Sequence, residues 1–151
     1  MRLMLFSHLG LCCRDPQQTE EFYTKHFGFH RARVVGNGAD EVVFLKMEYC
    51  PTMLELFQAQ GESPAPPATG AGPEYPGVRH LAFQVDDVDA LLAEIGDDAV
   101  VTQPPLDFGD FIPGWRTAWI ADPDGRIVEV SQGYFDDPAG AQVLSAEATG
   151  V

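Results

Sequence analysis

Apolar and polar positions over residues 1–60 predict a strand, a helix and three more strands. Residues 3–13 read as a strand because apolar side chains fall on every second position. A helix is expected to begin at Pro16 with Asp15 as its N-cap, and to end at Gly28. The three strands then lie at about 29–36, 41–49 and 52–59, with a turn at Asn37-Gly38 and a break at Pro51.

The same order of elements returns after a change in composition. From Gly61 to Gly77 the chain is rich in Pro and Gly and has no hydrophobic period, which indicates a linker or a mobile loop. A strand at 78–85 and a helix at about 87–95 are expected next. The remaining strands are predicted near 99–103, 115–121 and 126–132, the last two joined by the turn Asp122–Gly125.

The two halves of the chain repeat each other. The first contains HLGLCCRD at 8–15 and the second contains HLAFQVDD at 80–87, each followed by a predicted helix and three strands. Such self-similarity indicates a duplicated β-α-β-β-β unit and an α+β fold. We therefore divide the chain into module 1 (1–60), a Pro/Gly-rich linker (61–77), module 2 (78–135) and a tail that is expected to be disordered (136–151).

The repeat also singles out four polar residues. His8 and Glu55 lie in the first and last strands of module 1, 47 residues apart, and His80 and Glu129 lie in those of module 2, 49 residues apart. Side chains alternate along a strand, so each of the four points away from the apolar face that packs on the helix. A single such residue on a strand is ordinarily just solvated. The match between the halves favours a shared role.

That shared role is a metal site if the two sheets curl toward each other. Two imidazoles and two carboxylates would then meet in one concave pocket. Neutral imidazole and carboxylate suit a divalent ion such as zinc, nickel, cobalt, iron or manganese. A bound cation would also explain how two acids are held together away from water, where unpaired charge is costly.

Composition narrows the range of partners. The chain has 23 Asp and Glu against nine Lys and Arg, a formal net charge of −14, which argues against nucleic acid and anionic membranes as partners. A 45% hydrophobic content is enough for a real core. Three cysteines form no disulfide framework and no CxxC pair, and no signal or membrane-spanning segment is evident. A cytoplasmic protein is therefore expected.

Three stretches resemble the vicinal oxygen chelate superfamily, which includes glyoxalase I, methylmalonyl-CoA epimerase, extradiol dioxygenases, and fosfomycin and bleomycin resistance proteins. They are SHLGLCCRDPQQTEEFYTKHFGF, VRHLAFQVDDVDALL and AWIADPDGRIVEV, within a similarity that covers about residues 3–133. The resemblance implies paired modules that form a curved, barrel-like mixed sheet with the helices outside. It also implies a divalent metal held by one residue from each of four strands.

Carried over by position, the ligands implied by the resemblance are His8, Glu55, His80 and Glu129. The second acid, Glu55, resembles the glyoxalase I and epimerase branch, since the oxygenase and fosfomycin branches typically use two His and one Glu. That branch implies proton transfer beside a carbonyl through an enediolate. Glu129 and Glu55 are then the candidate bases, one for each face of the intermediate, and we favour Glu129.

The substrate is a small molecule that the sequence does not identify. No clear glutathione-site pattern is present, so an α-hydroxy ketone, a sugar-like or cyclitol ketone and a thioester all stay open. Arg116 is a candidate contact for an anionic group, although a solvated strand charge is the ordinary interpretation. Phe111 and Trp115, in the loop DFGDFIPGW, are candidates to line the pocket or simply to pack the loop.

Two other functions stay open at this point. One is a metal-free protein that sequesters a drug, as the bleomycin-binding relatives do. The other is an iron-dependent dioxygenase, which four protein ligands disfavour because oxygen needs open coordination positions. A homodimer is expected, and the site would close either within one chain or across the two copies.

Overall fold

The helix ends follow from local sequence. The Asp15 side chain accepts hydrogen bonds from the Gln17 and Gln18 amides (3.0 and 3.3 Å), and Pro16 occupies the first turn. Gly28, at φ +68°, ends this helix in the left-handed conformation that glycine adopts without strain. The second helix is capped in the same way, because Asp87 accepts from the Ala90 amide at 2.9 Å.

The structure is a computed structural model that describes residues 3–134. Each module contains one strand, one helix and three strands, so the predicted α+β class is confirmed. The tail 136–151 lies outside the described residues. The elements are β1 (His8–Cys13), α1 (Pro16–Phe27), β2 (His30–Val35), β3 (Val42–Met47), β4 (Cys50–Gln58), β5 (Leu81–Gln84), α2 (Val88–Ile95), β6 (Val100–Asp107), β7 (Arg116–Ala121) and β8 (Ile127–Gln132).

The strands form two four-stranded mixed sheets with the same order. Module 1 is arranged β1-β4-β3-β2 and module 2 is arranged β5-β8-β7-β6. The first and last strands of each module pair in parallel, and the other neighbours pair antiparallel. Neither helix of the described chain has the length and hydropathy that a transmembrane span requires.

Strand bounds differ from the prediction at four places. β5 is limited to Leu81–Gln84 because its pairing with β8 begins only at Leu81, so the strand predicted at 78–85 is too long and His80 lies one residue before it. Residues 3–7 precede β1, which begins only at His8. Pro51 lies inside β4 rather than between strands, at a point where β4 extends past the first paired residue of β1 and its register with β3 shifts. β6 continues through the prolines at 104 and 105, because an edge strand with register shifts does not need every amide.

Aromatic packing joins the modules in one hydrophobic core. Phe83 of β5 lies among three rings of module 1, with centroid distances of 4.6 Å to Phe27, 5.8 Å to Phe29 and 6.3 Å to Tyr23. Tyr23 is fully buried. The core therefore holds the two sheets in a fixed relation through the helix faces and leaves the opposite sheet faces free for polar residues.

Polar contacts also join the two modules. The Tyr23 hydroxyl donates to Asp122 at 3.1 Å, and Arg126 donates to the same carboxylate at 2.6 Å. The Arg14 amide donates to Asp124 at 2.8 Å. Burial, with the nearby Asp122 carboxylate, raises the pKa of the Tyr23 phenol well above its usual range, so this hydroxyl stays protonated as a donor.

Candidate metal and substrate site

The two parallel strand pairs place the predicted ligands in matching positions. Gly10 is opposite Glu55, and Ala82 is opposite Glu129. In each module a small residue therefore lies beside the glutamate, and the histidine is two positions before that small residue in the chain. A Cβ at Gly10 would lie 3.3 Å from the Phe57 ring and 3.9 Å from Glu55 Oε2. At Gly10 a larger residue would press on the Phe57 ring, so glycine allows the close packing of β1 on β4 beside Glu55.

The first pair consists of His8 and Glu55. His8 Nε2 lies 3.2 Å from Glu55 Oε2, and the His8 side chain is 45% exposed while Glu55 is nearly buried. His8 Nδ1 is 3.0 Å from the Ser7 hydroxyl. A hydroxyl can donate or accept, so this contact is compatible with either neutral form of the imidazole.

The second pair consists of His80 and Glu129. His80 Nε2 lies 2.9 Å from Glu129 Oε2. His80 Nδ1 donates to the Ala71 carbonyl at 2.9 Å, because a carbonyl only accepts. In the neutral imidazole the electron pair is then on Nε2 and faces a carboxylate oxygen. A divalent cation bound between these two atoms would complete the arrangement of a metal-binding histidine with an outer hydrogen bond.

Trp119 of β7 is a site residue that sequence reasoning missed. Its indole Nε1 donates to Glu129 Oε2 at 3.1 Å, and its ring centroid lies 6.3 Å from that of His80. Trp119 is directly opposite Glu129 in the β7–β8 ladder. The turn Asp122–Gly125 contains the signal, because a tight connection there sets a register that pairs these two positions.

Aromatic residues gather beyond the second pair on the same face of the sheet. We name Phe108, Phe111, Trp115 and Tyr134 the aromatic cluster. Trp115 Nε1 donates to the Ser131 hydroxyl at 2.9 Å, and Ser131 lies two positions after Glu129 in β8. The ring centroids of Trp115 are 4.8 Å from Phe108 and 5.4 Å from Tyr134, and Phe111 is 6.3 Å from Phe108. Two predicted substrate contacts, Phe111 and Trp115, are thus brought together.

Arg116 is placed on the other face of the same sheet. It lies three positions before Trp119 in β7, so its side chain leaves the strand on the opposite side. Its Nε and Nη2 atoms each donate to the Asp89 carboxylate at 2.9 Å. This hydrogen bonding lowers the pKa of the Asp89 carboxyl below its ordinary value. The guanidinium is therefore engaged with α2, away from the four predicted ligands.

The two pairs do not form a four-residue set within one copy. Among residues 3–134, no three His, Cys, Asp or Glu side chains lie close enough together to hold a metal ion. The donor chemistry of each pair nevertheless fits a borderline divalent cation, with one imidazole nitrogen and one carboxylate oxygen. Each pair supplies half of the ligands that such an ion takes in proteins.

A cavity of about 880 Å³ lies between the free edge of β1 and the start of β5. Its walls include Leu9 and Leu11 of β1, the prolines of the linker and the side of His80. The volume is in the range of small-molecule pockets, and the lining is mainly apolar. The linker, predicted from composition as a connecting segment, is therefore also a wall.

Solved structures with this fold include proteins of different activities. TnmS3, an antibiotic binding protein from Streptomyces sp. CB03234, superposes with a TM-score of 0.64 at 20% identity over 89% of this chain and 99% of that one. The trypanothione-dependent glyoxalase I of Leishmania major superposes with a TM-score of 0.60 at 22% identity, over 97% and 94% of the two chains. At these identities the likeness establishes the fold alone.

Sequence comparison establishes the family. YaeR of Escherichia coli (strain K12), an uncharacterized protein, is 33% identical over 127 residues, which cover 82% of this chain and 92% of that protein. The family model described as Glyoxalase/Bleomycin resistance protein/Dioxygenase superfamily matches residues 5–130. The resemblance drawn from the sequence motifs is thereby confirmed: this chain belongs to the glyoxalase/bleomycin resistance protein/dioxygenase superfamily.

Proposed function

We propose that this protein is a divalent-metal-dependent isomerase or epimerase that moves a proton beside the carbonyl of an α-hydroxy carbonyl compound. One observation carries the proposal: two His/Glu pairs stand at matching positions of two repeated modules, with Nε2–Oε2 distances of 3.2 and 2.9 Å. Together they offer His8, Glu55, His80 and Glu129 as ligands, the set expected of the glyoxalase I and epimerase branch.

The cation site is assembled from two copies of the chain. The first pair of one copy meets the second pair of the other, and two-fold symmetry then produces two identical four-residue sites. Two features support this arrangement. The pairs are not joined within one described chain. Beside the first pair, the apolar side chains of residues 3–6 are 67–87% exposed, which is typical of a surface that another molecule covers.

Each protein group has a distinct part in the proton transfer. A bound divalent cation would polarise the carbonyl and its neighbouring oxygen and so acidify the C–H between them. Glu129 takes the proton: both of its contacts within the described residues use Oε2, so Oε1 is the oxygen left to accept it. Glu55, on the opposite side, returns a proton to the other face or the adjacent carbon.

The substrate that suits this site carries an apolar or aromatic part and needs no strong anionic anchor. The aromatic cluster lies on the face of Glu129 through Trp115 and Ser131, and it would receive that part by stacking. Arg116 is engaged by Asp89 on the other face. The closest fit among the open substrate classes is therefore an α-hydroxy ketone with an apolar substituent.

The test of the chemistry is solvent exchange. In deuterium oxide, the metal-replete protein is expected to catalyse the exchange of the α-carbon protons of α-hydroxyacetophenone for deuterium. Proton NMR follows this exchange as a loss of the α-proton signal. Glu129→Gln keeps the shape of the side chain and removes the base, so the exchange rate should fall roughly 10²–10⁴-fold. Arg116→Gln is the matched control and should exchange at the wild-type rate. Absence of exchange by the metal-replete wild type with this and related hydroxy ketones would contradict the proposal.

The test of the assembly is a mixed dimer. One chain carries His8→Ala and the other carries His80→Ala, and the hetero-pair is isolated with two affinity tags. If each site takes one pair from each copy, one site loses both histidines and the other keeps all four ligands. About half of the wild-type activity and one cation per dimer are then expected. An inactive hetero-pair that binds no cation would mean that the ligands come from one chain.

The cavity supports a second candidate, a protein that sequesters a small molecule without a metal. Its volume and apolar lining would suit a drug-sized ligand. The metal-free protein would then bind anilinonaphthalene sulfonate, and Ala68→Trp, which fills the cavity, would abolish the binding. A ligand-bound, metal-free protein with no deuterium exchange would favour this candidate over the isomerase.

A further inference from the structure

Part of the linker forms a turn that is tied to module 2. Within Thr69–Gly72, which we name the linker turn, the Gly72 amide donates to the Thr69 carbonyl at 3.1 Å. The Thr102 hydroxyl of β6 donates to the Gly70 carbonyl at 2.8 Å. These bonds fix the turn on the edge strand of the second sheet.

The linker turn also packs directly on the backbone that precedes His80. Gly72 is buried and has φ +112°, a conformation that other residues rarely adopt. A Cβ at this position would lie only 2.2 Å from the Arg79 carbonyl oxygen. Glycine is therefore required here for two reasons, and its close approach sets the position of its neighbour Ala71 relative to His80.

The position of Ala71 determines a hydrogen bond of the His80 imidazole. The Ala71 carbonyl accepts from His80 Nδ1 at 2.9 Å, while His80 Nε2 lies 2.9 Å from Glu129 Oε2. A carbonyl has no proton to give, so the bond selects the form of neutral histidine that is protonated on Nδ1. Nε2 is left with its electron pair in the position from which a ligand would bind a cation.

We propose that the linker turn is a positioning element that selects the His80 tautomer and directs the Nε2 electron pair toward Glu129. Gly72 and Thr102 act through the Ala71 carbonyl and touch neither cation nor substrate. The selection of the tautomer is a property of the chain without metal. Its effect on cation affinity rests on the proposed function.

The test measures the tautomer and the cation affinity separately. Long-range proton–nitrogen correlation spectra of the metal-free protein, recorded at pH 8.5, report which imidazole nitrogen carries the proton. His80 is expected to carry it on Nδ1. In Gly72→Ala, where the turn must move off Arg79, a mixture of the two forms is expected. Zinc or cobalt affinity by competition titration should fall roughly 10–100-fold.

Thr102 supplies the second variant and its control. Thr102→Val removes the hydroxyl with little change of shape and should shift the tautomer in the same direction as Gly72→Ala. Thr102→Ser keeps the hydroxyl and should behave as the wild type. Thr24→Val, an exposed position on α1, controls for the chemical change itself. Circular dichroism at matched temperature establishes that each variant is folded.

Each result has a definite meaning. A folded Gly72→Ala or Thr102→Val protein whose His80 stays protonated on Nδ1 overturns the proposal, as does a wild-type His80 protonated on Nε2. Tautomer shifts in the variants together with no cation binding by the wild type support the positioning role and contradict the proposed function. Shifts in both tautomer and affinity support the two together.

Discussion

The two His/Glu pairs come from repeated units but are not equally preorganised for binding a cation. In the second pair, a backbone carbonyl holds His80 and an indole N–H holds Glu129, and the imidazole is 24% exposed. In the first pair, His8 is 45% exposed and its Nδ1 contacts only the hydroxyl of the preceding residue. The two modules therefore share the proposed ligand residues but differ in what surrounds them.

The difference indicates an order of assembly. A preset pair gains affinity because less freedom is lost when it binds, whereas an exposed and adjustable pair must be ordered first. We infer that the second pair binds the cation on its own, weakly, and that the first pair of the partner completes the site. The predictions below are ordered from the largest expected effect to the smallest, and each one changes one side of this comparison.

The largest effect is expected from removing the histidines in turn. His80→Ala should lower cation affinity by more than about 100-fold. This loss exceeds the roughly 10–100-fold loss that follows when only a hydrogen bond to a ligand is removed. The loss in His8→Ala should be roughly 30-fold smaller, because two hydrogen bonds of about 1 kcal/mol each still organise the second pair. Isothermal titration with zinc measures both. Equal losses, or a larger loss in His8→Ala, would contradict the inferred order of assembly.

A smaller effect is expected from Trp119→Phe, which keeps an aromatic ring and removes the N–H that contacts Glu129. Cation affinity should fall roughly 10–100-fold. Trp115→Phe is the matched control in the same sheet, since its N–H contacts Ser131 instead of a ligand. It should leave cation affinity unchanged and raise KM for an aromatic hydroxy ketone. If the two variants lose affinity equally, the indole of Trp119 has no particular role at Glu129.

The smallest effect is expected from Ser7→Ala, which removes the contact of His8 Nδ1. An exposed hydrogen bond contributes about 0.5–1.5 kcal/mol, so affinity should change by roughly tenfold at most. Because the hydroxyl does not select a tautomer, imidazole spectra of the metal-free protein should show both neutral forms of His8 before and after the change. A single fixed form of His8 in the wild type would remove the contrast between the two pairs.

Much of the fold was predictable because short-range sequence patterns determine where its helices and turns begin and end. The cap at Asp15, the glycine at 28 and the turn Asp122–Gly125 act within a few residues, and the structure places helix or strand bounds close to them. The similarity of HLGLCCRD to HLAFQVDD adds long-range information, since similar segments followed by the same order of predicted elements imply similar units. Pro51 was misjudged because its tolerance depends on how far β1 extends beside it.

The candidate site was predictable in its residues and not in its assembly. Strand alternation is enough to put His8, Glu55 and Glu129 on the open faces, and His80, one residue before β5, follows when the same alternation is continued. The same alternation, applied to β7, would have put Arg116 on the face opposite Trp119. The bond from His80 to the Ala71 carbonyl has no sequence signal, because it depends on the path of a linker without periodicity. In the proposed assembly, the distance between the pairs depends on packing between copies, which no sequence pattern of one chain specifies.

A cobalt-loaded crystal tests the central claim most directly. An anomalous difference map at the cobalt edge is predicted to show one strong peak per chain, at about 2.0–2.2 Å from His8 and Glu55 of one copy and from the partner's His80 and Glu129. A peak bound by His80 and Glu129 in a dimer whose other copy keeps His8 and Glu55 away from it would contradict the shared site. A peak away from all four residues, or no peak after saturation with cobalt, would contradict the metal-dependent function itself.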